Sequence, residues 1–289
     1  MYSVYELLYL VSILNYYEPE LVKIIKYYIK TYTFYKNTEL KDIVNLYYCI
    51  LDECKCIFYS KCKCKCKYEY NYGNMAYWDV SKMTDMSYLF RTNKLYFGIK
   101  QDISRWNVSN VISMTGMFYS IWHLKKPIGN WNVSKVKDMS YMFYGAYLFN
   151  QPIGLWNVSN VTNMNHMFNG ATRFNQPIGE WDVSKVKDMN HMFDGATRFN
   201  QPIDSWNVSN VIDMSYMFHR TKYFNQFIGY WNVNNVKYMQ NMFDGANKFN
   251  QPLIKWNLKN VKNINNIFDN ICKFKQPKTI EHFRKCTIN

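Results

Sequence analysis

The pattern of apolar and polar positions repeats every 25 residues along most of the chain. When each unit is numbered from its tryptophan, apolar residues recur at positions 1, 3, 6, 9, 12, 13, 16, 19 and 23. A fixed period of about 20 to 30 residues is typical of stacked repeat units, each of which buries its apolar face against its neighbours. We therefore predict a repeat solenoid with a buried structural ladder of tryptophans. The ladder consists of Trp106, Trp131, Trp156, Trp181, Trp206, Trp231 and Trp256, preceded by Trp78.

Each unit carries signals for one short helical turn and one short strand. Apolar residues spaced three and four apart predict a helix of one or two turns at positions 9 to 14. Position 8 is mostly Asp, Asn or Ser, whose side-chain oxygen can cap the first amides of a helix, and position 15 is often Gly, which can end it in the left-handed region. Pro at position 22 favours extended backbone, so we expect a short strand near positions 19 to 21.

The repeat resembles a known family. The pattern W-[ND]-V-S-x-V-x-x-M-x-x-M-F, seen in Trp156 to Gly179, is similar to that of the BspA-like leucine-rich-repeat surface proteins, which occur in bacteria, parasites and large DNA viruses. The resemblance covers about Met75 to Pro277. It implies an α/β leucine-rich-repeat-like solenoid and a role in adhesion or protein–protein interaction, with no catalytic residues to transfer.

The chain divides into four predicted regions. Residues 1–67 form a helical N-terminal region with a Cys-rich segment, 68–77 a linker, 78–278 a solenoid of eight coils, and 279–289 a basic tail. Helical spacing of apolar residues predicts helices near 7–14, 19–29 and 40–51. These helices are either a cap over the first coil or an F-box-like substrate adaptor.

Six cysteines lie within residues 49–66. Thiolates of Cys54, Cys56, Cys62 and Cys64 could form a tetrahedral zinc site, because neighbouring lysines favour the charged form. The C-x-C spacing is not the C-x2-C spacing of a zinc knuckle, so free cysteines are the alternative. No other cofactor is expected.

The formal net charge is +14. A basic, aromatic-rich solenoid could bind nucleic acid through phosphate contacts, although a Lys-rich solvated surface explains the same charge.

The N-terminal apolar run lacks the features of a signal peptide, and no run is long enough to span a membrane. We expect an intracellular protein, in the host cytoplasm if the source is viral.

Two positions that the pattern leaves exposed carry residue types common at binding hot spots. Stacking would align positions 11 and 18 into two columns, which are the candidate binding surfaces. Position 11 supplies Tyr141, His166, His191 and Tyr216, and position 18 supplies Arg173, Arg198, Tyr223 and Lys248. A metal site at His166 and His191 is a weaker alternative, because the sequence suggests no carboxylate or Cys partner for them. Asn at position 20 is expected to bond backbone amides between coils.

No catalytic triad, phosphate loop or paired acid motif stands apart from the repeat, so we do not expect an enzyme. The leading expectation is a non-catalytic scaffold that binds a protein partner. The alternatives are a nucleic-acid-binding solenoid and the F-box-like adaptor.

Overall fold

The computed structural model describes residues 34–42, 44, 75–91, 98–99 and 101–271. Residues 37–42 and 44 are helical, and Met75–Tyr77 forms a 3-10 helix. From residue 78 onward, the described chain consists of turns and extended segments joined by isolated parallel bridges. The fold is therefore held together mainly by contacts between successive units.

Position 8 pairs with position 8 of the next unit in a parallel bridge. The bridged pairs are Asp85–Ser113, Ser113–Asp138, Asp138–Asn163, Asn163–Asp188, Asp188–Asp213, Asp213–Tyr238 and Tyr238–Asn263. One further bridge, Ile99–Leu124, lies in the first units. The unbroken series places equivalent residues of neighbouring units side by side in one register.

The helix expected at positions 9 to 14 is replaced by hydrogen-bonded turns. Met142 N–H donates to the Met139 carbonyl three residues earlier, whereas Phe143 N–H donates to Met167 in the next unit. A helix would bond every amide within its own segment, but here alternate amides bond the neighbouring unit. Position 11 also has positive φ, as at Tyr141 with φ 57°, and this conformation ends any right-handed helix.

The strand expected at positions 19 to 21 is likewise absent from the regular units, where these residues are extended but unbridged. Proline at position 22 cannot donate a ladder hydrogen bond. Asn side chains at position 20 instead provide hydrogen bonds between successive units. The position-20 backbone N–H of each unit donates a hydrogen bond to the Asn side-chain oxygen of the preceding unit at 2.8–2.9 Å, as seen at Asn175, Asn200, Asn225 and Asn250. The predicted role of these asparagines is confirmed.

Aromatic side chains run through the core in continuous stacks. The phenylalanines at position 13, from Phe90 to Phe268, stack at 5.6–5.7 Å between ring centroids. The tryptophans from Trp106 to Trp256 are only 2–7 % exposed. Each indole N–H donates to the carbonyl three residues before the preceding tryptophan, as in Trp206 to Ile178 at 3.0 Å. Burial of the rings therefore leaves no indole N–H of this series without an acceptor.

The described N-terminal residues, 34–42 and 44, pack on the first unit. Phe34, Leu40 and Val44 are buried in the same core as Trp78. Phe34 N–H donates to the Asp79 carbonyl at 3.0 Å, and the Phe34 ring lies 5.5 Å from the Trp78 ring. This part of the N-terminal region covers the end of the apolar core, as a cap does.

Several sequence expectations fall outside the described residues. These are the first two predicted helices, the Cys-rich segment, most of the linker and the basic tail. Within the described residues, no helix has the length and apolar character needed to cross a bilayer.

Candidate functional site

Position 11 forms a stack of four rings, which we call the ring column. The centroid distances are 4.5 Å from Tyr141 to His166, 4.4 Å from His166 to His191 and 4.3 Å from His191 to Tyr216, with interplanar angles of 5–12°. All four residues have φ between 52° and 58°, which bulky side chains rarely adopt. The repeat thus aligns four half-buried residues, each with a strained backbone conformation.

A carboxylate lies beside the ring column, which the sequence analysis missed. Asp194 bonds His191 Nδ1 and His219 Nδ1, both at 2.8 Å, through its two oxygens. The second nitrogen of His219 lies 3.6 Å from Asp244. The expectation that His191 has no carboxylate partner is wrong. Asp194 is three residues after His191, and the turn brings positions 11 and 14 together. This three-residue spacing was the sequence signal for the contact.

The described residues nevertheless contain no group of three or more His, Cys, Asp or Glu side chains placed to hold a metal ion. Asn169 Nδ2 donates to His166 Nδ1 at 3.0 Å if that nitrogen is the acceptor, which corresponds to a neutral imidazole. The network around His166 and His191 therefore consists of hydrogen bonds within the protein.

Burial and neighbouring charge shift the pKa values in this network. Burial, together with the charge of His191, lowers the pKa of His166 from its ordinary 6.5 to about 4. Burial alone would raise the pKa of Asp194, but hydrogen bonds from His191 and His219 outweigh it and lower that pKa to about 2. At neutral pH the column therefore contains an uncharged His166 and an ionised Asp194.

Positions 17 and 18 form a second array, which we call the basic column and which runs from Trp122 to Lys248. Each position-18 N–H donates to the position-17 carbonyl of the preceding unit at 3.1–3.3 Å. The donors are Leu148, Arg173, Arg198, Tyr223 and Lys248. Thr172 and Thr197 also donate their hydroxyls to the preceding position-17 carbonyl, both at 3.1 Å. These bonds fix the backbone from which the exposed side chains project.

The basic column differs chemically from the ring column. Arg173 and Arg198 are both exposed, and their guanidinium groups have no hydrogen-bond or ion-pair partner within the described residues. Trp122, Tyr147 and Leu148 precede them along the column and are 38 %, 46 % and 42 % exposed. The Trp122 and Tyr147 rings meet edge-on at 5.7 Å. Exposed apolar side chains thus adjoin two arginines that have no ion-pair partner within the described residues.

A shallow groove of about 490 Å³ lies on the part of the surface formed by positions 21 to 25. Prolines and glycines of successive units line it, including Pro152, Gly154 and Pro177. Leu155 lies on this lining and is 95 % exposed. Most of its lining is apolar, with Asn130, Gln176 and Glu180 as the polar members.

The structure does not bring every predicted site residue together. The ring column and the basic column are each aligned, whereas Cys54, Cys56, Cys62 and Cys64 lie outside the described residues. Residues that the sequence analysis did not single out are Asp194, His219 and Asp244 near the ring column and Trp122 and Tyr147 in the basic column. Each has an equivalent position in neighbouring units, but its residue type varies from unit to unit.

A protein-family model described as "Mycoplasma protein of unknown function, DUF285" matches residues 57–180 and 165–283. The chain belongs to the DUF285 family. The two matches overlap and together contain both columns, so the binding candidates lie in the part of the chain that defines the family. No curated protein and no solved structure gives a significant match. DUF285 membership is compatible with a BspA-like repeat protein and assigns no activity.

Proposed function

We propose that this chain is a non-catalytic scaffold for protein–protein interaction, built as a leucine-rich-repeat-like solenoid of BspA-like units. The observation that carries the proposal is the alignment of Tyr, Trp, His and Arg side chains on a backbone fixed by bonds between units. Tyr, Trp and Arg are enriched among residues that dominate binding energy at interfaces. A rigid array also loses little conformational entropy when a partner binds.

Site-specific photo-cross-linking tests this proposal. A benzophenone amino acid replaces Tyr216 in the ring column or Tyr223 in the basic column of the full chain, which is then irradiated in extract of the source cells. Lys187, an exposed residue at position 7, serves as the control site. We expect one defined protein adduct from at least one column site and none from Lys187. Equal labelling at all three sites, or no adduct from either column, would contradict the proposal.

Nucleic-acid binding is a second candidate, which the unpaired Arg173 and Arg198 and the net charge of +14 support. Phosphate contacts release counterions, so such binding must weaken steeply as salt increases. Affinity for a short single-stranded oligonucleotide, measured from 50 to 300 mM salt, separates the two candidates. An affinity that is weak and nearly independent of salt would exclude this function.

A further inference from the structure

The two candidate columns carry opposite charge, which composition alone does not show. Positions 8, 10, 11 and 14 of the eight units, which surround the ring column, contain seven aspartates and one arginine. The aspartates are Asp85, Asp138, Asp188, Asp194, Asp213, Asp244 and Asp269. Positions 17 and 18, from the Trp106 unit to the Trp231 unit, contain no acidic residue. The basic column therefore carries four cations, Arg173, Arg198, Lys222 and Lys248, with no acidic residue at its own positions, whereas aspartates line the ring column.

From this arrangement we infer that the basic column binds a peptide segment of a partner protein in which apolar residues are followed by Asp or Glu residues. The inference rests on the proposed scaffold function and names the column and the chemistry of its partner. Trp122, Tyr147 and Leu148 receive the apolar residues, and Arg173 and Arg198 receive the carboxylates.

The arginine pair is suited to carboxylates. The planar guanidinium group donates two parallel hydrogen bonds to one carboxylate. Arg173 and Arg198 occupy the same position in successive units, and their amides bond Tyr147 and Thr172 at 3.2 and 3.3 Å. Their backbones are thus fixed, and neither side chain has a carboxylate partner within the described residues. A partner that supplies carboxylates does not have to displace an internal ion pair.

The apolar end of the column favours a peptide over a nucleic acid. Leu148 is aliphatic and 42 % exposed, between Trp122 in one unit and Arg173 in the next. An aliphatic side chain offers no stacking surface to a base, whereas single-strand binding relies on aromatic rings open at their faces. The edge-on contact of Trp122 with Tyr147 instead forms an irregular apolar surface suited to side chains. Net charge of +14 steers an acidic segment toward the molecule.

Fluorescence anisotropy with a designed probe tests the inference on the full chain. The probe is a labelled peptide with three apolar residues followed by four glutamates, and the comparison peptide replaces the glutamates with glutamines. We expect the glutamate peptide to bind at least about tenfold more tightly, because each carboxylate on a free guanidinium adds a charge-assisted bond. Equal affinity for the two peptides would overturn the inference.

Substitutions taken from neighbouring units locate the site without disturbing the fold. Arg198→Leu installs the residue found at Leu148, and Tyr147→Thr installs the residue found at Thr172. We expect each to weaken the glutamate peptide about five- to tenfold, since each removes one anchoring side chain. Lys187→Thr, which copies Thr162, removes the same charge from another part of the surface and should change affinity less than about twofold.

The outcomes separate this inference from the scaffold proposal. If Lys187→Thr weakens the peptide as much as Arg198→Leu, binding follows net charge and the inference fails. If a 12-nucleotide single strand binds more tightly than the peptide and Arg198→Leu weakens it, the column is a nucleic-acid site and the inference also fails. In both cases, adducts formed only at Tyr216 in the cross-linking experiment would leave the scaffold proposal standing on the ring column. Absence of peptide binding and of adducts at both columns would reject both.

Discussion

At the scale of single residues, identical backbone positions carry side chains with different electrostatic roles. His166 lies between Tyr141 and His191 in the ring column, and burial lowers its pKa to about 4. Tyr141 and Tyr216 occupy the same position without an ionisable imidazole. The repeat supplies the geometry, whereas the residue inserted at each position decides how that unit responds to pH.

His166 makes stability depend on pH. Its pKa in the folded state is below its ordinary value of 6.5, so the unfolded chain binds more protons as pH falls. The stability is fully present above pH 6.5 and is lost as pH falls toward 4. His166→Tyr keeps a ring in the stack and should abolish this slope.

Urea unfolding at pH 7, 6 and 5 measures the effect, and these values stay well above the pKa of Asp194, which is about 2. His191→Gln is unsuited as a control because His191 bonds Asp194. Tyr216→His is the matched control, since it adds an imidazole at position 11. A slope of the same size in wild type and His166→Tyr would contradict the assignment.

Two glycines show how the local environment determines the loss of stability when alanine replaces glycine. Gly195 has φ 68°, and an added Cβ would lie 3.7 Å from its nearest neighbours, the backbone atoms of Gly170. Gly179 has ordinary φ, but its added Cβ would lie 2.7 Å from the Pro202 carbonyl oxygen of the next unit. We expect Gly195→Ala to cost about 1 kcal/mol through strain and Gly179→Ala about 2 to 3 kcal/mol through overpacking.

Denaturant midpoints of the two glycine variants, measured side by side, check this order. Gly195→Asn provides the control, because Asn adopts positive φ more readily than Ala and stands at the same position as Asn270. A Gly179→Ala variant as stable as wild type would contradict close packing between units at this position.

At the scale of the element, the sequence predicts burial better than backbone conformation. The recurring apolar positions identify Trp181, Val183 and Phe193 as core residues, and all three are buried. The expected helix at positions 9 to 14 fails because amides alternate between bonds within the unit and bonds to the next unit. Sequence patterns report local propensity, and a Tyr or His at positive φ runs against that propensity. Only the stacked neighbours compensate for this strain.

Two substitutions of Trp206 separate the contribution of its buried ring to stability from that of its hydrogen bond. Trp206→Ala removes a ring that packs 6.3 Å from Phe193 and from Trp231, and should lower the free energy of unfolding by about 3 to 5 kcal/mol. Trp206→Phe retains an aromatic ring, but leaves the Ile178 carbonyl without its indole donor, at a cost of about 1 to 3 kcal/mol.

Urea denaturation followed by far-UV circular dichroism measures both tryptophan variants. Tyr223→Phe, at an exposed site, is the control and should leave the midpoint unchanged. An unchanged midpoint for Trp206→Ala would show that the ladder does not stabilise the fold.

At the scale of the whole molecule, the alignment of both columns depends on a common register. Parallel bridges connect position 8 of successive units from Asp85 to Asn263. The same register aligns the ring column and the basic column, although their residue types vary. The sequence predicts both columns from the period alone. It does not predict their segregated charge or the Asp194 network, because those depend on which positions meet around one unit.

The register can be tested by removing part of the chain. Deletion of residues 181–205 removes one complete unit and joins Glu180 to Trp206, so every ladder can re-form across the junction. Deletion of residues 181–200 removes fewer residues but leaves Gln201–Ser205 as five extra residues between Glu180 and Trp206, so the junction departs from the 25-residue period. The urea unfolding midpoint of these two proteins, monitored by near-UV circular dichroism, is the decisive measurement. We expect the larger deletion to retain a cooperative transition near the wild-type midpoint and the smaller one to lose it. Equal midpoints, or a lower midpoint for the larger deletion, would contradict a fold built on a 25-residue register.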